Sequence, residues 1–341
     1  MPMRFVIQAP NIHCGGGFIL LREILNNLPK GSLLFVDTRL PLTNIELDDF
    51  EVIRVTPSIF GRLQAELKLY KYAKAEDIVI CFGNLPSLLR LDAKTILFLQ
   101  NRTLVDKYIA INISLKLKVR TLIERFWLKK FHRNADRIIV QTSTMKKLVL
   151  KSLHRDSFIL PFMQLMKDEC KSFHHPIAKK YDFIYVASGE SHKNHYKLIE
   201  AWIELAKIGY FPSLCLTISS SEFPTLCGFI AQSVNDFQLN IKNVGEEPIE
   251  KIMELYKKTH ALIFPSIIES FGLPLIEAHN AGLSIIASEL DYVRDVVQPV
   301  ETFDPNSAIS MMRAVSRFMH YENQKHSLLD ARQFLGKVIN L

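Results

Sequence analysis

The sequence predicts an α/β protein made of two doubly wound parallel-sheet domains that face one another across a cleft. Three observations lead there. The chain has 341 residues, which at roughly 100–200 residues per domain makes about two domains. Short apolar runs alternate throughout with stretches of helical period. Several of those runs, such as Asp77-Ile-Val-Ile-Cys-Phe82, carry no polar alternation, the pattern of a strand covered on both faces. Apolar residues at 48% and charged residues at 23% exclude disorder and fibrous repeats.

Taken in order, strands are expected at 3–9, 32–36, 51–55, 77–82, 94–100 and 136–141, with helices at 18–28, 62–75, 103–133 and 143–151. Residues 161–181 hold Pro161, Pro176 and a His174-His175 pair without a clear period and are expected to join the domains. A second series follows, with strands at 182–187, 214–219, 240–244, 261–265 and 283–287, and two helices within 306–335. Strand–helix alternation of this kind implies right-handed crossovers and two Rossmann-like domains. The boundaries are 1–165, a linker at 166–181, 182–320, and a terminal helix at 321–341 that packs back on the first domain.

Forty-two Lys and Arg against 35 Asp and Glu leave a charge of +7, too modest to mark a nucleic-acid binder; no nucleic-acid partner is expected. The five cysteines are scattered and form no C-x-x-C pair. Neither a disulfide framework nor a zinc site is readable, and a reducing cytoplasm is the expected compartment. The chain opens straight into a strand, and no run approaches the roughly 20 apolar residues that cross a bilayer.

The most informative segment runs from His260 to Ala278. A buried strand ends near Pro265, a loop follows, and Pro274 suits a first helical position; Gly282 stops the helix and the next strand begins at Ser284. The loop therefore lies at the carboxyl end of a parallel sheet, where open α/β folds bind ligands. Free amides of Phe271, Gly272 and Leu273 would point from the helix N-terminus at a phosphate. Glu277 would meet ribose hydroxyls, and Glu269 whatever lies beyond the phosphates. The competing explanation is that each glutamate only favours the positive helix end, about 0.3–1 kcal/mol apiece; it does not account for the string Phe-Gly-Leu-Pro between them.

Pro265-Ser-x-x-Glu269-Ser-Phe-Gly-Leu-Pro-x-x-Glu277-Ala closely resembles the E-x7-E signature of retaining glycosyltransferases of family 4 (glycosyl transferases group 1), which have the two-domain GT-B fold. Ala281-Gly282-x-Ser284-Ile-Ile-Ala-Ser288 and Arg294-Asp295-Val296 resemble its continuation. The resemblance implies a nucleotide-sugar donor, UDP- or GDP-linked, and transfer with retention to a hydroxyl of a saccharide or lipid-linked saccharide. It points to bacterial surface-polysaccharide assembly, O-antigen or capsule. Glu269 is then the catalytic carboxylate that orients the sugar.

Tyr185 to Asn194 resembles the family's diphosphate loop. Lys193 matches the family's lysine, although a lysine at a helix start is also simply solvated. The arginine usual five residues earlier is absent, with Ser188 and Gly189 in its place. His192 and His195 have metal-like spacing but no third ligand. Near the N-terminus, Cys14-Gly15-Gly16-Gly17 is not G-x-G-x-x-G, because Leu20 takes the last glycine position, so a dinucleotide oxidoreductase is not indicated. Gly16 and Gly17 either approach the donor, as the resemblance implies, or only form a turn. Gln100 and Asn101 stand where relatives often have a histidine contacting the sugar; Asn101 is the candidate donor contact.

No D-x-D occurs, so no metal and no cofactor are expected, and activity should not require a divalent cation. From 101 to 133 there are nine Lys/Arg against two acids. Leu115, Val119, Leu122, Phe126 and Trp127 are expected on one face of the helix, and Lys118, Arg125, Lys129 and Arg133 on another. That face is either solvated or attracted to an anionic membrane surface, which would make the protein cytoplasmic with peripheral association on the inner face of the membrane. Two further functions share features of the sequence: another GT-B enzyme, such as a nucleotide-sugar epimerase or a phosphorylase, and a non-catalytic binder of anionic surfaces.

Overall fold

A computed structural model describes residues 4–41, 49–106, 115–163 and 178–320. The expected linker lies largely within 164–177, and the terminal helix at 321–341 lies wholly, outside the described residues.

The first sheet has seven strands: β1 (Phe5–Ala9), β2 (Leu33–Asp37), β3 (Glu51–Val55), β4 (Ile78–Cys81), β5 (Lys94–Phe98), β6 (Arg137–Val140) and β7 (Phe158–Ile159). Their order is β3-β2-β1-β4-β5-β6-β7 and each pairing is parallel. The second has six, β8 (Tyr181–Tyr185), β9 (Leu214–Leu216), β10 (Ile241–Asn243), β11 (Thr259–Phe264), β12 (Ser284–Ser288) and β13 (Glu301–Phe303). These are ordered β10-β9-β8-β11-β12-β13, again parallel. The central strands β1, β2 and β8 are almost wholly buried, which is why they read as largely apolar runs. The strands missing from the sequence reading, β7 and β13, are two and three residues long and lie at sheet edges; neither is long enough to establish a period.

In each sheet the chain reverses direction of winding once, between β1 and β4 and between β8 and β11. The loops leaving those four strands diverge to opposite sheet faces and leave a crevice at the carboxyl edge. The loop after β8 carries Lys193, and the loop after β11 carries Glu269 and the helix start that follows it. Around the first sheet, helix α1 (Gly15–Asn26) covers one face, while α2 (Ile59–Tyr72), α3 (Leu115–Phe131) and α4 (Ser143–Leu153) cover the other.

Two expectations change here. The glycine run is not a loop before a helix at 18: α1 begins at Gly15 and its first turn is Gly15-Gly16-Gly17. The helix expected over 103–133 is a 3-10 turn at Arg102–Leu104 and then α3, and α3 is rotated from the expected orientation. Val119, Leu122 and Phe126 face solvent, with Phe126 at 65% exposure. Arg125 turns inward and donates to the Thr103 and Asp106 carbonyls. Trp127 is half-buried and donates to the Pro86 carbonyl, and Leu128 takes the core position. The Leu115 side chain lies outside the described residues.

Candidate active site

The loop after β11 is held in shape before any ligand arrives. Gly272 caps α8 (Leu273–Asn280) at φ +72, a left-handed conformation that a side chain would strain. Pro274 is therefore the second helical residue, one later than expected. Among the described residues, the amides of Phe271, Gly272 and Leu273 have no acceptor, which leaves a row of donors at the positive end of the helix.

The loop after β8 is stitched to it. The Ile267 amide donates to the His192 carbonyl, and the Asn194 amide group donates to the carbonyls of Pro265 and Pro305. Tyr185 donates its hydroxyl to the Lys193 carbonyl. His195 is buried with Nε2 against the Ser188 carbonyl, and burial lowers its pKa to about 4. The His192/His195 pair is thus structural at His195. Gly189 leaves no room for a side chain: an added Cβ would lie 2.4 Å from the Phe223 ring. Phe223 fills the space beside Gly189.

These constraints put Lys193 Nζ 2.6 Å from Glu269 Oε1, an oxygen that also accepts from the Ser266 hydroxyl at 2.8 Å. Glu277, in the first turns of α8, is 8% exposed. Its only hydrogen-bond donor among the described residues is the Tyr256 hydroxyl, at a long 3.4 Å. Burial raises its pKa above the ordinary glutamate value. A carboxylate held this dry with one long hydrogen bond is short of donors.

Lys193, Glu269, Glu277, Phe271, Gly272 and Leu273 line one cavity of about 480 Å³ together with Gly16 and Gly17 of α1, so residues of both domains enclose it. Asn101 is not among its lining residues. Its carboxamide oxygen accepts from the amide and hydroxyl of Thr103, capping the 3-10 turn, and the preceding Gln100 lines the cavity instead. Among the described residues no group of three or more His, Cys, Asp and Glu is disposed to hold a metal ion.

The sequence reading missed what the Phe271 and Leu273 side chains do. Both are 8% exposed and pack within the core of the first domain, against a cluster that includes Ile7, Ala9, Leu20, Phe82 and Phe98. Leu273 Cδ1 sits 3.3 Å from where a Cβ on Gly16 would lie, so a side chain there would press on this contact. Ser270 accepts from the Arg102 amide, and Asp295 accepts from the Thr144 amide. The loop-and-helix segment that carries both glutamates also joins the domains.

Residues 167–332 match the family described as glycosyl transferases group 1. That match spans just under half of the chain. The chain is 26% identical over 266 residues to the O-antigen chain mannosyltransferase RfbU of Salmonella typhimurium, spanning 74% of this chain and 73% of that protein. It is 28% identical over 166 residues to the serotype-specific mannosyltransferase WbdA of Escherichia coli, which covers 47% of this chain and 20% of that one. Among solved structures it resembles Anabaena Alr3699/HepE in complex with UDP and glucose, with a TM-score of 0.68 at 13% identity and coverage of 94% and 90%. It also resembles the lipopolysaccharide outer core galactosyltransferase WaaB, with a TM-score of 0.58 at 16% identity and the same coverage. The fold of this glycosyl transferase is GT-B, two parallel-sheet domains about a cleft. No helix among its described residues is long and apolar enough to cross a membrane.

Proposed function

We propose that this glycosyl transferase moves a sugar, with mannose the first candidate, from a UDP- or GDP-linked donor to a hydroxyl of a saccharide or lipid-linked saccharide, with retention of configuration. The observation that carries the reading is the convergence of the 271–273 amides, Lys193, Glu269 and the buried Glu277 on one interdomain cavity. The amides and Lys193 receive the diphosphate, Glu277 accepts from the ribose hydroxyls, and Glu269 orients the sugar. The acceptor oxygen bonds to the anomeric carbon on the face from which the diphosphate leaves. The C1–O(phosphate) pair departs with the diphosphate, whose oxygen takes the acceptor proton. Donors aimed at that developing charge are the main source of rate. The two mannosyltransferase relatives support mannose, and the first of them supports O-antigen assembly.

A second part of the proposal is peripheral attachment to the anionic inner face of the cytoplasmic membrane. Helices α2, α3 and α4 form one layer over the first sheet. Their sequences hold twelve Lys and Arg and two Glu, and both glutamates are in i,i+4 ion pairs with Arg62 and Arg120. Ile59, Phe60, Leu63 and Leu67 of α2, and Val119, Leu122, Ile123 and Phe126 of α3, are exposed beside those cations. Basic side chains contribute about 1 kcal/mol each near an anionic leaflet.

Incubation with a panel of nucleotide sugars, with and without EDTA, tests the transfer. Slow release of nucleotide from one sugar donor, undiminished by EDTA, is the expected result. Hydrolysis of none, or strict dependence on a divalent cation, removes the arrangement described.

A further inference from the structure

We infer that the first domain carries a second binding site, for a phosphate group, at the amino edge of its sheet, formed by Lys129, His132, Arg133 and Arg155. It shares no residue with the interdomain cavity and does not depend on the nucleotide-sugar reading.

The fold builds this site where two helices end. After α3 stops at Phe131, a 3-10 turn, His132–Asn134, leads into β6. The chain leaves β6 at the carboxyl edge, returns along α4 to Leu153, and reverses at His154, which is left-handed at φ 53. The Arg155 guanidinium then donates to the carbonyls of His132, Ala135 and Asp136, tying this segment to the 3-10 turn. Between them lies a cavity of about 350 Å³ in which every lining residue except Leu153 carries an N–H or O–H donor and none is a carboxylate. Gln141, just before α4, lines the interdomain cavity, and Ser152, in the last turn of α4, lines this one. At 1.5 Å per residue the two sites stand about 16 Å apart along that helix.

The competing explanation is that the cations only balance two helix ends, each about half a negative charge. The charge exceeds that need. Among the described residues Lys129 and Arg133 have no ion-pair partner. Asp136, the acid that favours the charged form of Arg155, is already held by Arg90 and by the Thr95 amide. Burial, and then Arg137, Arg90 and Arg133, disfavour that charge.

His132 supplies the independent observation. It is 8% exposed and lines the cavity, yet its Nδ1 has no hydrogen-bond partner among the described residues. Buried polar atoms in folded proteins are nearly always satisfied. Burial, helped by Arg155 and Arg133, lowers its pKa and keeps the imidazole neutral. A neutral imidazole adds an N–H donor to the site without adding a further positive charge.

These donors converge from the end of α3, from the 3-10 turn and from the segment after α4. That arrangement suits the tetrahedrally spread oxygens of phosphate better than a planar carboxylate. Arg155 uses three of its five N–H groups on carbonyls and keeps two. Arg133 has its whole fork available, and Lys129 supplies a point charge. The phosphate is either free or the headgroup of a lipid, since α3 and α4 also belong to the layer proposed to meet the membrane.

Calorimetric titration of the full chain with inorganic phosphate, and with acetate for comparison, tests the site in the wild type, Lys129→Ala, Arg133→Ala and Lys130→Ala. All three side chains are exposed, and Lys130 lies outside the cavity. The same series in Lys193→Ala removes any phosphate held in the interdomain cavity. Phosphate should bind about tenfold more tightly than acetate. Arg133→Ala should weaken it about tenfold or more, and Lys129→Ala about twofold to fivefold, with no change in Lys130→Ala. Equal affinity for acetate, an unchanged Arg133→Ala, or an equal loss in Lys130→Ala overturns the inference. Vesicles carrying phosphatidic acid or phosphatidylglycerol at matched surface charge separate the two sources. A preference for phosphatidic acid that disappears in Arg133→Ala assigns the site to a lipid headgroup, and Arg133-dependent phosphate binding without that preference assigns it to free phosphate.

Discussion

Lys193 Nζ and Glu269 Oε1 are 2.6 Å apart, although 76 residues of sequence separate them. The pair has two consequences. It holds a flexible lysine at the proposed diphosphate position, and it sets the lysine's charge against the glutamate. Glu269→Ala is expected to release Lys193, leaving nucleotide diphosphate affinity unchanged or tighter, while turnover falls about 10²- to 10³-fold, the usual scale for losing one group that acts on the transition state. Lys193→Ala is expected to weaken nucleotide binding about 10- to 100-fold. Measuring Kd and kcat separately for both variants checks the split; a Glu269→Ala enzyme with normal kcat excludes the role given to that carboxylate.

Glu277 links stability to binding. Its folded pKa is raised by burial, so between the ordinary glutamate value and the raised one the folded state keeps a proton that the unfolded chain has lost. Stability is fully present below the ordinary value and falls as pH rises through the raised one. Glu277→Gln removes that loss. The variant is expected to melt at a higher temperature than wild type at pH 7 to 8, on the order of a few degrees, with the difference vanishing near pH 4. The same change should weaken nucleotide binding about tenfold or more. In the wild type, binding should fail on acidification at a pH above the usual carboxylate range. Thermal melts and calorimetry across pH check both; a less stable Glu277→Gln with unchanged affinity contradicts the assignment.

Phe271 belongs by sequence to the second domain and by packing to the core of the first. Truncating a buried phenylalanine commonly removes about 3–5 kcal/mol. Here that loss falls on the contact between domains. Phe271→Ala is therefore expected to leave both sheets folded by circular dichroism, to increase the radius of gyration in small-angle scattering, and to lower kcat/KM about 100-fold or more. Unchanged scattering and unchanged kinetics together would show that the joint does not depend on this side chain.

The α2–α3–α4 layer makes a salt-dependent prediction. Wild-type protein should sediment with vesicles containing anionic phospholipid at low ionic strength and release as salt rises, with no sedimentation on neutral vesicles. Lys129→Glu/Lys130→Glu should reduce the bound fraction about tenfold or more, because it reverses two charges at about 1 kcal/mol each. Phe126→Ser, which removes an exposed apolar side chain, should reduce binding less and leave its salt dependence intact. Failure to sediment at low salt removes the membrane surface from the proposal.

Much of the strand–helix alternation was legible, because a parallel strand buried on both faces must be apolar along its length and a helix must show its period. The edge strands β7 and β13 were not, since two or three residues make no pattern. The orientation of α3 was misread because its apolar residues outnumber the core positions available. Which of them turn inward depends on Arg125 finding the Thr103 and Asp106 carbonyls, a contact outside the helix. Asn101 and Gln100 exchanged places for the same kind of reason: a local cap at Thr103 satisfied the asparagine first.

Short-range sterics and hydrogen bonding shape the segment from His260 to Ser288. Gly272, Pro274 and Gly282 punctuate it regardless of what surrounds it, so its strand, loop and helix, and the spacing of Glu269 from Glu277, could be derived from the residues alone. Everything that requires two distant stretches to meet was settled by sheet order and domain docking. The Lys193–Glu269 ion pair needs β8 beside β11. The burial of Glu277 against Tyr256 needs α7 (Ile249–Lys257) beside α8, and the seating of Phe271 and Leu273 needs the other domain. Such contacts exchange water for protein neighbours at long sequence separation, and no local pattern of residues records which neighbours those are.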